Sequence, residues 1–268
     1  MQRIPVNTRL ILRFAALLAM SVPGAFATQF TSLFDVCLNA NCSSYGASYT
    51  GSNPGTGVAD VRGAVQDGGM DAFDFFGYVN NLGPLTLTRR VDALPGLNTY
   101  RFLDTYTNPT SSTVSQTVLF EGNLAHNGNH TLLLQTPFVT VDKDNTNRIP
   151  TVAMVNGNDE WAKNNMSVSY NGREYILAIH LSLDPGQSVN ILNFAFLAFD
   201  TGTVRNVAGD SALALSVGQG LVGATNYSGL SQQDVSKIVN FTPEPATAGL
   251  VAFGVGLAAF IQKRRRTR

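Results

Sequence analysis

Residues 175–199 read YILAIHLSLDPGQSVNILNFAFLAF, and this stretch decides the fold class. Tyr175 and every second residue as far as Leu183 are apolar, which is the period of a β-strand with one buried face. Asp184-Pro185-Gly186 is a turn signal, and the run Asn193–Phe199 after it is apolar on both faces. Two strands joined by a tight turn, with no helix between them, indicate an antiparallel sheet.

The same pattern recurs along most of the chain. Short apolar and β-branched runs alternate with turns rich in Gly, Asn, Asp and Pro about every ten residues, which predicts an all-β, antiparallel β-sandwich. The predicted strands are Val58–Val65, Ala72–Val79, Leu85–Val91, Thr99–Thr107, Val114–Glu121, Thr131–Val141, Thr151–Val155, Met166–Tyr170, Tyr175–Leu183 and Ser188–Phe199.

Two local signals refine this prediction. Asn171-Gly172 is the strongest hairpin signal and predicts a type I′ turn with both residues at its centre. One late short helix is predicted at Gln232–Val239, where Ser231 and Asp234 form a capping box. We expect this helix to pack on the sheet.

The N-terminus has the three parts of a secretory signal peptide. Arg3 and Arg9 precede a mostly apolar run, and Ala25-Phe26-Ala27 places small residues at the two positions that signal peptidase reads. The sequence therefore predicts cleavage between Ala27 and Thr28, with residues 1–27 removed. Signal peptidase and a Sec-type translocon are the partners that this prediction requires.

The C-terminus also has three parts. Pro243-Glu244-Pro245 is followed by an apolar run at 246–261 and by a basic tail at 263–268, whose cations are Lys263, Arg264, Arg265, Arg266 and Arg268. A helix over the apolar run is about 24 Å long, a marginal transmembrane span for a hydrocarbon core of about 30 Å. Because cations prefer the cytoplasmic side, the tail places the body outside the inner membrane.

This tail resembles the PEP-CTERM sorting signal of Gram-negative bacteria. The resemblance implies that exosortase, a membrane-embedded cysteine protease, recognises Pro243, Glu244 and Pro245. It also implies a transient stay in the inner membrane, cleavage near the motif, and passage to the cell surface. The predicted organisation is a signal peptide (1–27), an exported β-sandwich domain (28–241) and a sorting signal (242–268). A permanent single-pass anchor is the alternative.

The body also resembles, loosely, the immunoglobulin-like sandwiches of bacterial surface proteins. The first similar stretch runs from Arg101–Thr110, a strand that ends in a turn, through Gly122-Asn123-Leu124 in a pairing strand. The second is Leu183–Ser188, a turn that precedes an apolar strand. These features are shared by many sandwiches, so the resemblance implies no functional residue.

The charge of the body differs from that of the whole chain. The full sequence has 18 basic and 18 acidic residues, but eight of the basic ones lie in the two terminal segments, which leaves ten against all 18 acidic ones. A body with a net charge of about minus eight lacks the clustered cations that nucleic acid requires. We therefore expect no nucleic-acid partner.

Cys37 and Cys42 are the only two cysteines of the chain. In an exported protein this pair predicts a disulfide across a small loop, and two free thiols are the alternative. No second Cys or His pair accompanies them, so the sequence predicts no zinc site.

The sequence contains few signals of metal binding or catalysis. Asp142 and Asp144 are weak calcium candidates in a predicted polar loop, although the spacing of a helix-loop-helix calcium site is missing. His126 and His130 are interpreted as solvent-exposed loop residues. The sequence contains no nucleophile elbow, phosphate loop or dinucleotide fingerprint, so it predicts no catalytic residue and no cofactor.

The leading hypothesis is therefore a non-enzymatic protein of the cell surface or extracellular matrix. The PEP-CTERM resemblance implies an association with exopolysaccharide and biofilm. A carbohydrate- or calcium-dependent adhesion module, using exposed Tyr, Trp161 and acidic loops, is the alternative. A secreted hydrolase with two carboxylates in a groove is the third hypothesis.

Overall fold

The computed structural model describes residues 35–38, 41–43, 48–53, 64–66, 73–94, 99–124, 129–146, 151–198 and 207–242. The strands among them are β1 (Asp35–Leu38), β2 (Asn41–Ser43), β3 (Ser48–Asn53), β4 (Ala64–Gln66), β5 (Phe73–Asn80), β6 (Thr86–Leu94), β7 (Thr99–Thr107), β8 (Val114–Leu124), β9 (His130–Gln135), β10 (Val139–Asp144), β11 (Val152–Val155), β12 (Met166–Asn171), β13 (Glu174–Leu183) and β14 (Ser188–Leu197). The helices are α1 (Glu160–Asn165), α2 (Val207–Gly223) and α3 (Gln232–Ser236).

The strands form two seven-stranded sheets. The first has the order β12-β13-β8-β5-β4-β1-β2, and the second has the order β3-β6-β7-β14-β11-β10-β9. Every pairing within the described sheets is antiparallel. The sheets pack face to face. Between them the ring of Phe102 in β7 meets that of Phe120 in β8 edge-on, with the ring centres 5.1 Å apart. The predicted all-β antiparallel body is confirmed.

The strands β13 and β14 have the burial that their sequences predict. In β13 every second residue from Tyr175 to Leu183 is buried, and these residues share one face of the strand. His180 lies on the opposite face, exposed to solvent, with its Nδ1 3.4 Å from Thr117 Oγ1. In β14 nine consecutive residues from Val189 to Leu197 are buried, so this strand lies at the centre of its sheet with both faces covered.

One predicted strand is two strands in the structure. The prediction Thr131–Val141 contains β9, a reversal and the start of β10. Thr136 makes the reversal, because its Oγ1 accepts hydrogen bonds from the backbone amides of Phe138 and Val139 at 3.2 and 3.0 Å. The hydroxyl of a threonine stabilises this turn, whereas the turns that a sequence shows most clearly contain Gly or Asn. The sequence analysis therefore did not predict it.

The hairpin at residues 171–174 is confirmed, but its predicted turn type is wrong. Asn171 pairs with Glu174, so Gly172 and Arg173 are the central residues. Gly172 has a φ of 61°, and Arg173 is not among the described residues with positive φ. A positive φ at the first central position alone is typical of a type II′ turn, in which Gly occupies that position.

The helix α2 was not predicted, and it covers the outer face of the second sheet. Its buried residues are Asp210, Ala214, Gly218 and Leu221, spaced four, four and three apart. Gly218 permits the close approach, because a Cβ at this position would lie 2.9 Å from Val139 Cγ2. Within the described parts of the chain, no helix is long and apolar enough to cross a membrane.

The predicted capping box is present at α3. Ser231 is the N-cap, its Oγ accepts a hydrogen bond from the Asp234 amide, and the Asp234 carboxylate accepts from the Ser231 amide. The helix ends at Ser236, earlier than predicted, and none of its residues is buried. It contacts the sheet through its backbone, since the Asp234 carbonyl accepts a hydrogen bond from Asn190 Nδ2 in β14 at 2.8 Å, and the residues after it make the buried contact.

The core between the sheets contains a buried ion pair. Arg89 of β6 donates from Nε and Nη2 to the two carboxylate oxygens of Asp104 in β7, both at 2.6 Å, and from Nη1 to the Gly77 carbonyl. Arg89 and Asp104 are 1% and 0% exposed. The guanidinium lies 5.2 Å from the ring centre of Phe102 and 5.4 Å from that of Phe120, so aromatic rings of both sheets contact the cation.

Candidate functional site

The residues that lead into the predicted sorting motif are fixed to the body. We call residues 237–242 the stem. The stem begins where α3 ends and runs beside β14, with Asn190 and Ile238 forming a parallel bridge. The Asn190 amide donates to the Lys237 carbonyl at 2.9 Å, and the Val239 amide donates to the Asn190 carbonyl at 3.1 Å. The stem therefore adds a short parallel strand segment to the second sheet.

Asn240 is the most tightly held residue of the stem. Its Nδ2 donates to the carbonyls of Asn156 and Leu192 at 2.7 and 2.6 Å, and its Oδ1 accepts from the Leu192 amide at 3.0 Å. The residue is 0% exposed. Because a buried amide is costly unless both its ends are bonded, these three bonds define one position for the stem.

The loop at residues 156–159 holds the stem from the other side. The Asn158 amide donates to the Asn240 carbonyl at 3.0 Å, and Asn158 Oδ1 accepts from the Thr242 amide at 2.8 Å. Asn158 Nδ2 donates to the Val222 carbonyl in the last turn of α2 at 3.1 Å. One asparagine side chain thus joins the end of the stem to the C-terminal end of α2.

Gly157 makes this approach sterically feasible. A Cβ at Gly157 would lie 2.4 Å from Ala162 Cβ in α1 and 2.7 Å from the Asn240 carbonyl oxygen. Both distances are shorter than real contacts of a Cβ atom. The glycine is therefore required for the stem, the loop and α1 to meet.

Phe241 anchors the stem by apolar contact. It is 1% exposed, and its ring meets that of Phe194 in β14 edge-on at 5.9 Å. Burial of such a ring stabilises by about 1.5–3 kcal/mol, and each satisfied hydrogen bond adds about 1 kcal/mol. Detaching the stem would remove a large part of the 5–15 kcal/mol that is typical for a whole domain. The stem belongs to the fold.

Thr242 is the last described residue, and it is exposed at the end of the stem. The predicted sorting motif at Pro243, Glu244 and Pro245 follows directly, with the apolar run and the basic tail after it. These segments, and the predicted cleavage site at Ala25, Ala27 and Thr28, lie outside the described residues. The prediction assigned Thr242 to the sorting signal, whereas its amide bonds to the body.

The two cysteines occupy facing positions in the backbone. Cys37 in β1 lies opposite Cys42 in β2, and Leu38 lies opposite Asn41 beside the turn. The Cα atoms of facing antiparallel residues are about 4.5–5.5 Å apart, within the range that a disulfide requires. The register is compatible with the predicted disulfide, which stays a prediction.

The calcium candidates do not lie in an open loop, so that part of the prediction is wrong. Asp142 and Asp144 belong to β10 and are 1% and 2% exposed. Asp144 accepts hydrogen bonds from the amide and hydroxyl of Thr146, and Asp142 Oδ1 lies 2.9 Å from His130 Nδ1. The described residues contain no group of three or more His, Cys, Asp or Glu arranged to hold a metal ion.

His130 was interpreted as a solvent-exposed loop residue, and this is also wrong. It begins β9, faces Asp142 and packs its ring at 4.9 Å from that of Tyr170 in β12. His126 lies outside the described residues. Burial, followed by the charge of Asp142, raises the pKa of Tyr170, so this phenol stays protonated. A neutral phenol in this place supports packing between the sheets rather than proton transfer.

Two carboxylates are neighbours on the outer face of the first sheet. Glu121 in β8 lies opposite Ile176, two residues along β13 from Glu174, so the two glutamates are diagonal neighbours. Burial raises the pKa of Glu121, the hydrogen bond from Asn80 lowers it, and the charge of Glu174 raises it. No other feature of the described residues marks this pair as a catalytic site.

The sequence signal that pointed to the stem was weak. Asn240 and Asn158 look like ordinary turn residues, and their burial follows only from the tertiary structure. Phe241 alone carries a sequence signal, because phenylalanine is among the residues most often buried.

Comparison with known proteins identifies the C-terminal segment. Residues 241–266 match the family described as PEP-CTERM protein-sorting motif. This match begins at Phe241, so the family segment and the docked stem share two residues. No curated protein matches the chain.

Solved structures that match the chain do so at low similarity. A putative kojibiose phosphorylase from the human microbiome is 12% identical over 76% of this chain and 26% of that chain, with a TM-score of 0.38. A polysaccharide lyase is 12% identical over 65% and 28%, with a TM-score of 0.36. The heparan sulfate lyase HepC from Pedobacter heparinus is 8% identical over 72% and 27%, with a TM-score of 0.32. The chain spans about a quarter of the length of these proteins, and such scores carry no functional argument.

The matched motif begins within the last two residues of the stem, which is built into an antiparallel β-body. Its position agrees with the C-terminal sorting signal predicted from the sequence. The chain carries a PEP-CTERM protein-sorting motif at residues 241–266, which indicates an exported protein sorted by exosortase.

Proposed function

We propose that this protein is a non-enzymatic component of the cell surface or extracellular matrix, exported through a Sec-type translocon and released by exosortase. The observation that carries the proposal is the sorting motif at residues 241–266, which follows a folded body with no intervening linker. In this proposal signal peptidase removes residues 1–27, and the apolar run holds the protein in the inner membrane until exosortase cuts. The acidic body then associates with exopolysaccharide.

The described residues support a structural role of the body better than calcium-dependent adhesion. The carboxylates of Asp142 and Asp144 are buried and bonded within the protein, so they are not oriented as open calcium ligands. Trp161, which the adhesion hypothesis assigned to glycan contact, packs partly buried against the core. Glycan binding by the outer face of the first sheet stays the alternative function, and an array of exopolysaccharide fragments tests it directly.

Mass spectrometry of the released protein tests the proposal. The C-terminus of the protein is compared between cells with exosortase and cells in which the exosortase gene is deleted. We expect protein from the first cells to lack the apolar run and basic tail, and protein in the second cells to keep Arg268 and stay in the membrane fraction. Release of the intact chain in both strains, or permanent retention in both, contradicts the proposal.

A further inference from the structure

The stem leaves little space between the folded body and the membrane. Only residues 243–245 separate Thr242, which is bonded to Asn158, from the apolar run that starts at Ala246. Four Cα–Cα steps span at most about 14 Å. A body of residues 28–241 has a radius of gyration of about 17 Å, so the tether is shorter than the radius of the body that it holds.

The stem does not lengthen this tether readily. Asn240 is bonded at both ends of its amide, Phe241 is buried against Phe194, and the Thr242 amide is bonded to Asn158. Each added tether residue would require the loss of one of these contacts, starting with Thr242. Phe241 and Asn240 are buried, so they are the strong part of the attachment.

We propose that exosortase acts while the stem stays docked, cuts on the C-terminal side of Thr242, and is slowed by the body that the short tether keeps beside the motif. Asn158 and Asn240 are then positioning residues of the processing step. The released protein keeps its whole stem, and its new C-terminus lies next to the last turn of α2, to which Asn158 links it. This inference rests on the proposed function.

Two variants of the full-length chain in its host cells separate docking from tether length. The first inserts six Gly and Ser residues between Thr242 and Pro243, which adds about 20 Å of reach and changes no residue of the body. The second is Asn158→Ala, which removes the bonds to Thr242 and Val222 and loosens the stem. The same insertion between Gly172 and Arg173, in an exposed turn, is the matched control.

Pulse-chase labelling gives the half-time of processing, and mass spectrometry gives the new C-terminus. We expect the insertion after Thr242 to shorten the half-time about twofold or more, and the released chain to contain the inserted residues. We expect Asn158→Ala, which frees only Thr242, to shorten the half-time by less than the insertion does, and the control insertion to leave the half-time unchanged. The wild-type product should end at Thr242 or beyond.

Three results would overturn the inference. These are a product that ends before Thr242, a half-time that the insertion after Thr242 does not shorten, and a half-time of Asn158→Ala as short as that of the insertion, which would mean that the stem detaches before cleavage. Each is distinguishable from failure of the proposed function. If processing persists in cells without exosortase, the proposed function fails wherever the product ends.

Discussion

The side-chain amide of Asn240 forms a two-way pair with the backbone of Leu192, donating to its carbonyl and accepting from its amide. This is the pattern that a neighbouring strand would supply, provided here by one side chain. A third bond, to the Asn156 carbonyl, joins the pair to the loop that also holds Thr242. The end of the fold and the start of the sorting segment are thereby connected through one residue.

Replacing Asn240 tests how much the stem contributes to stability. We expect Asn240→Ala in the released protein to lower the free energy of unfolding by about 3–5 kcal/mol, because three buried backbone groups lose their partner. Asn158→Ala is the matched control, since its side chain is less buried and makes two bonds, and we expect a loss of about 1–2 kcal/mol. Urea denaturation measures both, and equal losses would contradict the assigned role of Asn240.

The buried pair of Arg89 and Asp104 makes a second prediction. Arg89→Leu and Asp104→Leu should each lower the free energy of unfolding by about 3–5 kcal/mol, because each leaves one buried charge without its partner. The double variant should lose clearly less than the two single losses combined. Urea denaturation of the four proteins forms a double-mutant cycle, and additive losses would show that the pair does not act as a unit.

Alanine substitutions at Gly218 and Gly220 of α2 should have opposite effects on the melting temperature. Gly218→Ala should lower the melting temperature, because the new Cβ would lie 2.9 Å from Val139 Cγ2 and overpacking costs about 1–3 kcal/mol. Gly220→Ala should raise it, since no atom lies within 4 Å of the new Cβ and Ala favours the helix by about 1 kcal/mol. Calorimetry of both variants decides the packing of α2, and equal shifts would mean that α2 is not seated on the sheet as described.

The facing positions of Cys37 and Cys42 predict a disulfide in the released protein. Neither thiol should react with an alkylating reagent until the unfolded protein is reduced, which mass spectrometry of the tryptic peptides detects. A closed loop of this size stabilises by about 2 kcal/mol, so reduction should lower the free energy of unfolding by that amount. Alkylation of both residues without reduction would disprove the bond.

Glu121 predicts a pH dependence of stability. Burial, opposed by the hydrogen bond from Asn80 and aided by the charge of Glu174, raises the pKa of Glu121 above 4.5. The folded state therefore keeps a proton that the unfolded chain releases first, so the contribution is present at low pH and is lost as pH rises through the raised pKa.

Replacing Glu121 should remove this contribution. We expect Glu121→Gln to lose less melting temperature than the wild type between about pH 4 and pH 7. Glu174→Gln should reduce the loss less, because burial is the larger cause of the shift. Identical pH profiles of wild type and Glu121→Gln would contradict the assignment.

The sheets were predictable because their strands obey the period that burial on one face imposes. The residues from Tyr175 to Leu183 alternate as expected, and the doubly apolar β14 lies at the centre of its sheet. Arg89 breaks the rule, since a cation occupies a position where the period requires an apolar residue. Its partner Asp104 lies in the next strand, and the sequence of neither strand alone predicts the ion pair.

The helix α2 was missed for a different physical reason. Its contact with the sheet is made by small residues, Ala214 and Gly218, while larger residues such as Leu213 and Leu215 lie only partly buried at its sides. A period of large apolar side chains at helical spacing is therefore missing. The sequence predicted the sorting motif itself, Pro243-Glu244-Pro245. It did not predict the stem that precedes the motif, because the polar residues of the stem bond to residues distant in sequence.

The docked stem also makes the completion of the fold a late event. Because a chain folds from its N-terminus as it is made, every described strand is available before the stem is. The second sheet gains Ile238, Asn240 and Phe241 only when the stem follows. A chain that ends at residue 236 would therefore contain every described strand and still lack this contact along β14.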